Sequence, residues 1–245
     1  FGMGVDWIRR LWGTLRKRRE TYQAELEAIN TIIFGDPMDI AEYYVEPDCQ
    51  EMNPADRPVE DFLVAKEPVM KKIDQFFRAP SFHLGSNQLF VLSDAGMGKT
   101  ALLTMLKLMH LTRFWPGQKD CVLKKLGKDT LSELDGITNR SETILLLDSL
   151  DEDPEAYGRV RDRLIEILRA TRDFDKVIIT CRTQFFPKDV DEDPFKRPGQ
   201  VVLDEFTCPA KYLSFFSDDK VNAYLDKRFP KKFGLLPDKK KMEEA

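Results

Sequence analysis

Residues 93–100 read SDAGMGKT and close an apolar run, QLFVLS, before a stretch with helical spacing. A glycine-rich loop ending in Gly-Lys-Thr suits phosphate binding. Bare backbone amides are needed where the chain passes closest to phosphate oxygens, and a long-stemmed ammonium reaches the terminal phosphates. A hydroxyl one residue further on can ligate magnesium. Gly96 and Gly98 supply the bare backbone, Lys99 the ammonium and Thr100 the hydroxyl. A helix opening at this point adds the positive end of its dipole. The candidate nucleotide-binding set is therefore Ser93, Asp94, Ala95, Gly96, Met97, Gly98, Lys99, Thr100 and Ala101. The pattern GxxxxGK[ST] is met except at its first position, where Ser93 replaces glycine. The competing reading is a structural turn.

Two further segments offer groups that such a loop would need. TILLLDSLDED (143–153) puts Asp148 at the end of an apolar strand, where a magnesium ligand belongs. Asp151 and Glu152 follow within reach of a water attacking a γ-phosphate, and either could act as base or water positioner. Alternatively, Asp151, Glu152 and Asp153 form an acidic helix start before Pro154, favoured by the dipole. KVIITCRTQFFP (176–187) ends a strand with Thr180 and Arg182. Ligands of open parallel sheets sit beyond the carboxyl ends of strands. Arg182 there could read a γ-phosphate and report its loss, or simply face solvent.

These residues need a scaffold, and the pattern from residue 88 onward provides one. QLFVLS (88–93), CVLKKL (121–126), TILLLD (143–148) and KVIITC (176–181) are strand-like runs, with helices expected at 98–110 and 155–172. In the second helix Tyr157, Val160, Leu164, Ile167 and Leu168 fall at core spacing. Runs this apolar, alternating with helices, predict a parallel sheet covered on both faces. An extended region (201–216) and a last helix (218–228) follow. Ahead of the sheet, 6–34 reads as helical with two apolar stripes, and YYVEPDCQEMNPADRP (43–58) as a turn-rich acidic connection. A helix is expected at 60–77.

The chain's 245 residues are 42% hydrophobic and 33% charged with net charge −4, which excludes disorder as the dominant state. No run of about 18 apolar residues predicts a membrane span, and the start lacks a signal peptide. Phe1 and Gly2 read as additions ahead of Met3. Cys49, Cys121, Cys181 and Cys208 lie far apart without CxxC, and the histidines are His83 and His110. Buried, reduced thiols in a cytoplasmic protein are expected. Charge is unevenly spread: six bases against two acids over 3–20, then ten acids against two bases over 36–67. The basic N-terminal arm is expected to pack on the core or a neighbour, with a membrane or nucleic-acid contact as the alternative. No recognition motif indicates nucleic acid. Trp115 reads as a turn anchor.

As a set, SDAGMGKT, LLLDSLDED and IITCRTQFFP resemble the NACHT-type group of STAND signalling NTPases, relatives of NOD-like receptors and bacterial antiphage ATPases. A small residue, Ser149, follows the magnesium aspartate, two acids follow as in LDE, and YLSFFSDDKVNAYLDKRF (212–229) is similar to the segment that closes this domain. The resemblance covers about 60–229. It implies an α/β P-loop NTPase fold, a three-layer parallel sheet, here with an N-terminal helical arm. The expected units are an arm and acidic linker (1–59), an NTPase core (60–230) and a charged tail (231–245). It further implies phosphate binding by Gly98, Lys99 and Thr100, magnesium binding by Asp148, hydrolysis through Asp151 or Glu152, and γ-phosphate sensing by Arg182. The cofactors implied are ATP or ADP with Mg2+. Function would be a slow ATPase switch in an immune or antiphage receptor, self-associating when whole, with its winged-helix, sensor and effector domains outside this stretch. A remodelling or nucleic-acid-associated AAA-like ATPase and a non-hydrolysing scaffold are the alternatives.

Overall fold

Hydrophobic spacing and capping account for the elements in chain order. The computed structural model describes residues 5–17, 22–33, 35–54, 65–112, 119–186 and 198–230. Helices α1 (Val5–Lys17) and α2 (Gln23–Ile33) occupy the region with two apolar stripes. Helix α3 (Pro37–Tyr43) starts at Asp36, whose carboxylate accepts from the Met38 amide, with Pro37 in the first turn where its missing N–H costs nothing. Strands β1 (Asp48–Gln50) and β2 (Glu67–Pro68) precede α4 (Val69–Arg78). The alternation then runs β3 (Gln88–Ser93), α5 (Lys99–Leu111), β4 (Asp120–Lys125), α6 (Thr130–Asp135), β5 (Thr143–Asp148), α7 (Val160–Thr171) and β6 (Lys176–Arg182). A hairpin, β7 (Gln200–Leu203) and β8 (Phe206–Leu213), leads to α8 (Asp218–Arg228).

The sheet order is β2-β1-β8-β3-β6-β5-β4, with β7 paired to β8. β8, β3, β6, β5 and β4 run parallel, while β1, β2 and β7 pair antiparallel. β6 thus lies between the strand carrying the glycine-rich loop and the strand carrying Asp148. Successive side chains point to opposite faces. Leu89 and Val91 of β3 and Ile144 and Leu146 of β5 join one core with α1–α5. Phe90, Leu92, Leu145 and Leu147 join the other with α7 and the hairpin. Each such fully buried side chain contributes about 2 kcal/mol relative to exposure. The three-layer α/β architecture with a mostly parallel sheet is the one predicted.

Some expectations need correction, while the packing of the N-terminal arm on the core and the buried, unpaired cysteines are as expected. The stretch 43–58 contains a strand: β1 pairs with β8, matching Cys49 to Leu213. Leu11, Leu15, Leu26 and Ile29 of α1 and α2 share a core with Leu102 and Leu103 of α5. Glu25 adds an ion pair at 3.0 Å to the nearly buried Lys107 of α5. Tyr157, assigned to a core face, is 87% exposed. Gly158 at φ 73° stops the chain from being helical there, and α7 begins only at Val160. All four cysteines are buried and free of disulfides. Among the described residues no helix is long and apolar enough to cross a membrane. The 59/60 boundary, Arg18, Arg19, Trp115 and the tail 231–245 lie outside the described residues.

Candidate functional site

β3 delivers the chain to its carboxyl end, and residues 94–98 turn it into α5. Gly96 (φ 75°) and Gly98 (φ 85°) both adopt left-handed backbone, a conformation glycine enters without steric cost. Gly98 is the N-cap of α5 and has no side chain to satisfy the first-turn amides, so these can donate to an anion. Ser93 is not among the positive-φ residues; it is buried, and its hydroxyl donates to the Asp94 carbonyl at 3.1 Å. Nothing in this loop's backbone demands a glycine at its first position.

Lys99 folds back over the loop, 8% exposed. Its Nζ donates to the Ser93 carbonyl at 3.3 Å, Ser93 Oγ at 3.2 Å and the Asp94 carbonyl at 3.1 Å. Burial pulls its pKa down, opposed chiefly by the negative charge of Asp151. Ala95 is exposed, whereas Met97 and Ala101 face the cavity described below.

Asp148 is almost fully buried, and both its oxygens are engaged. Thr100 Oγ1 donates to Oδ2 and Thr180 Oγ1 to Oδ1, each at 2.7 Å. Thr180 Oγ1 in turn accepts from the Ser149 amide at 2.9 Å. Ser149 itself is left-handed (φ 60°, ψ 60°), a strain of about 1–3 kcal/mol. That sharp turn sends Leu150 into the core and starts the short 3-10 helix Leu150–Glu152. The hydroxyl and carboxylate of Thr100 and Asp148 are the hard oxygen donors that suit magnesium beside phosphate oxygens.

The three consecutive acids differ sharply. Asp151, with its side chain 6% exposed, takes the Arg182 amide on Oδ1 at 3.0 Å and Arg182 Nε on Oδ2 at 2.6 Å. Glu152 is half exposed; its Oε2 meets Lys125 Nζ at 2.7 Å, and Oε1 lies 3.9 Å from Arg182 Nη2. Asp153 is buried against Arg163 Nε at 2.8 Å and accepts from the Glu155 amide at 3.0 Å. The helix-start reading therefore describes Asp153, which caps Pro154–Ala156. Arg182 is not free in solvent. β6 lies next to β3 with Arg182 opposite Ser93, so the guanidinium belongs to the loop's neighbourhood.

A cavity of about 620 Å3 adjoins the loop, within the range of small-molecule sites. Gly96, Gly98 and Ala101 form one side; Ile40, Tyr43 and Tyr44 form another, and Phe216 and Tyr224 a third. Arg228 stacks over the Tyr43 ring at 4.6 Å. Lys220 of α8 reaches Asp48 at 2.7 Å and the Glu46 carbonyl at 2.8 Å, and Lys227 donates to the Tyr44 carbonyl. The sequence reading treats 43–58 as a connection and so misses these walls. The available signals are the adjacent tyrosines in that acidic stretch and the one-sided spacing of Lys220, Lys227 and Arg228.

No protein-family model matches the chain, and no curated protein is matched by it. A solved structure titled "Structure of C. elegans PCH-2" is similar at 18% identity and a TM-score of 0.38, over 61% of this chain and 42% of that one. The match thus spans less than half of that structure's length. From its own sheet order and its loop between β3 and α5, the chain has a P-loop NTPase-like mixed α/β fold.

Proposed function

We propose that the chain is an ATP-binding, slowly ATP-hydrolysing switch domain. The observation that carries this reading is the Thr100–Asp148 pair at 2.7 Å, beside a lysine folded onto its own glycine-rich loop. Phosphates would take the α5 amides and draw Lys99 off the Ser93 and Asp94 carbonyls, which are weaker partners than an anion. Thr100 and Asp148 would hold Mg2+, which supplies charge neutralisation on the phosphate oxygens. The nucleoside would enter the cavity lined by Tyr43 and Tyr224. Asp151 is buried and keeps the Arg182 amide on Oδ1 even when the guanidinium leaves, whereas Glu152 is half exposed; Glu152 is therefore assigned to orient and deprotonate water. Arg182 must leave Asp151 to meet a γ-phosphate, which supports slow turnover and nucleotide-dependent reporting.

Resemblance of the three motifs to NACHT-type STAND proteins supports a finer reading: a cytoplasmic signalling receptor, immune or antiphage, that self-associates with ATP and rests with ADP. To test the core of the proposal, the purified chain is denatured and the released nucleotide identified by chromatography. ADP or ATP near one per chain is expected. A chain that releases none, and fails to bind added magnesium-ATP, overturns it.

A further inference from the structure

The strand register sets Lys125, the last residue of β4, directly beside Asp148, the last residue of β5. The left-handed turn at Ser149 starts the 3-10 helix whose last residue, Glu152, comes within reach of the Lys125 side chain. We infer that Lys125 is a positioning residue for ATP hydrolysis: it fixes one oxygen of Glu152 so that the other faces the attacking water. This rests on the ATPase reading above and names a residue outside all three nucleotide motifs.

Two cations bracket the Glu152 carboxylate from strands on either side of β5. Lys125 Nζ holds Oε2 at 2.7 Å, in direct contact. Arg182 Nη2 stands 3.9 Å from Oε1, too long for a hydrogen bond, and its Nε and amide are committed to Asp151. The two contacts therefore respond differently to a γ-phosphate. When Arg182 turns toward that phosphate, Oε1 loses its cation, whereas Lys125 stays on Oε2. One oxygen is then fixed and the other accepts from water. In the step itself, the water oxygen bonds to the γ-phosphorus while the bond from phosphorus to the β–γ bridging oxygen breaks. The electron pair leaves with ADP, and the water proton passes to Oε1. Lys125 transfers no proton.

The pair adds little to stability, and its position beside Asp148 and Arg182, not its exposure, sets it apart. Lys125 and Glu152 are both over a third exposed, and such surface pairs contribute about 0–1 kcal/mol. Lys124 is the internal contrast: on the same strand it pairs with Glu133 of α6 at 2.6 Å, an ordinary surface contact away from the loop.

Single-turnover ATP hydrolysis, equilibrium ATP binding and thermal unfolding of the full chain test the assignment. Lys125→Met should lower the rate about 10- to 100-fold, the scale of a misplaced catalytic group, while ATP affinity stays within about twofold. Lys125→Arg should restore most of the rate, and Lys124→Met should match wild type. Combined with Glu152→Gln, Lys125→Met should cost nothing further. Wild-type turnover by Lys125→Met overturns the assignment, as does an equal loss with Glu152 already removed, or a loss confined to ATP affinity. A wild-type chain that neither binds nor cleaves ATP instead overturns the ATPase reading itself, and this inference with it.

Discussion

Arg182 is bound twice to one carboxylate: its amide and its Nε donate to the two oxygens of Asp151, at 3.0 and 2.6 Å. A guanidinium tethered this way must exchange one anion for another before it can report a γ-phosphate. Asp151→Asn keeps the shape and removes the charge, and should raise the preference for ATP over ADP about 10- to 150-fold, the worth of a charged hydrogen bond. Arg182→Ala should erase the preference while leaving ADP affinity unchanged. Competition binding of the two nucleotides measures both. An unchanged ratio in both variants would show that Arg182 does not read the third phosphate.

Thr180 ties Asp148 to the Ser149 amide and holds the left-handed turn in place. Thr180→Val removes the hydroxyl at nearly constant volume and strands a buried carboxylate oxygen and a buried amide. Stability should fall by about 1–3 kcal/mol, and the magnesium dependence of nucleotide binding should weaken. Denaturant titration and binding at varied magnesium check the two effects separately.

The cavity between α3, α8 and the loop separates nucleoside contacts from phosphate contacts. Tyr43→Ala removes the ring beneath Arg228 and one apolar wall. ATP and ADP should both weaken by about tenfold or more, the cost of losing an aromatic contact. Inorganic tripolyphosphate should bind as before. Calorimetry with the three ligands distinguishes this from general damage, which would weaken all of them.

Lys176 is buried at the opposite end of the sheet, its Nζ donating to the Ala79 carbonyl at 2.6 Å and lying 4.9 Å over the Phe76 ring. Burial lowers its pKa from 10.5. Between the lowered native value and the ordinary one, the unfolded chain binds more protons at this site, so its contribution to stability rises with pH across that window. Wild type should therefore gain stability on Lys176→Met as pH rises toward 10.5, measured as the difference in unfolding free energy. A difference that stays flat contradicts the sign.

What was legible in the chain was what depends on near neighbours. The glycine-rich loop at 93–100, the apolar runs at 88–93 and 143–148, and the helix at 218–228 follow from residues adjacent in sequence. Contacts set by register were not. The link from Lys125 to Glu152 and that from Thr180 to Asp148 exist only because β4, β5 and β6 align at their ends. β1 has three residues, too short for alternation to show, yet it extends the sheet beyond β8. The helical count that put Tyr157 in the core ignored the break at Gly158.

The central claim is nucleotide binding at the loop between β3 and α5, and Lys99→Ala tests it most directly. Lys99 is tied only to loop oxygens, so its loss should leave the fold intact. Titration of magnesium-ATP into wild type and variant should show a drop in affinity of at least about tenfold, the worth of one charge-assisted phosphate contact. Equal affinity in the two proteins would contradict the account.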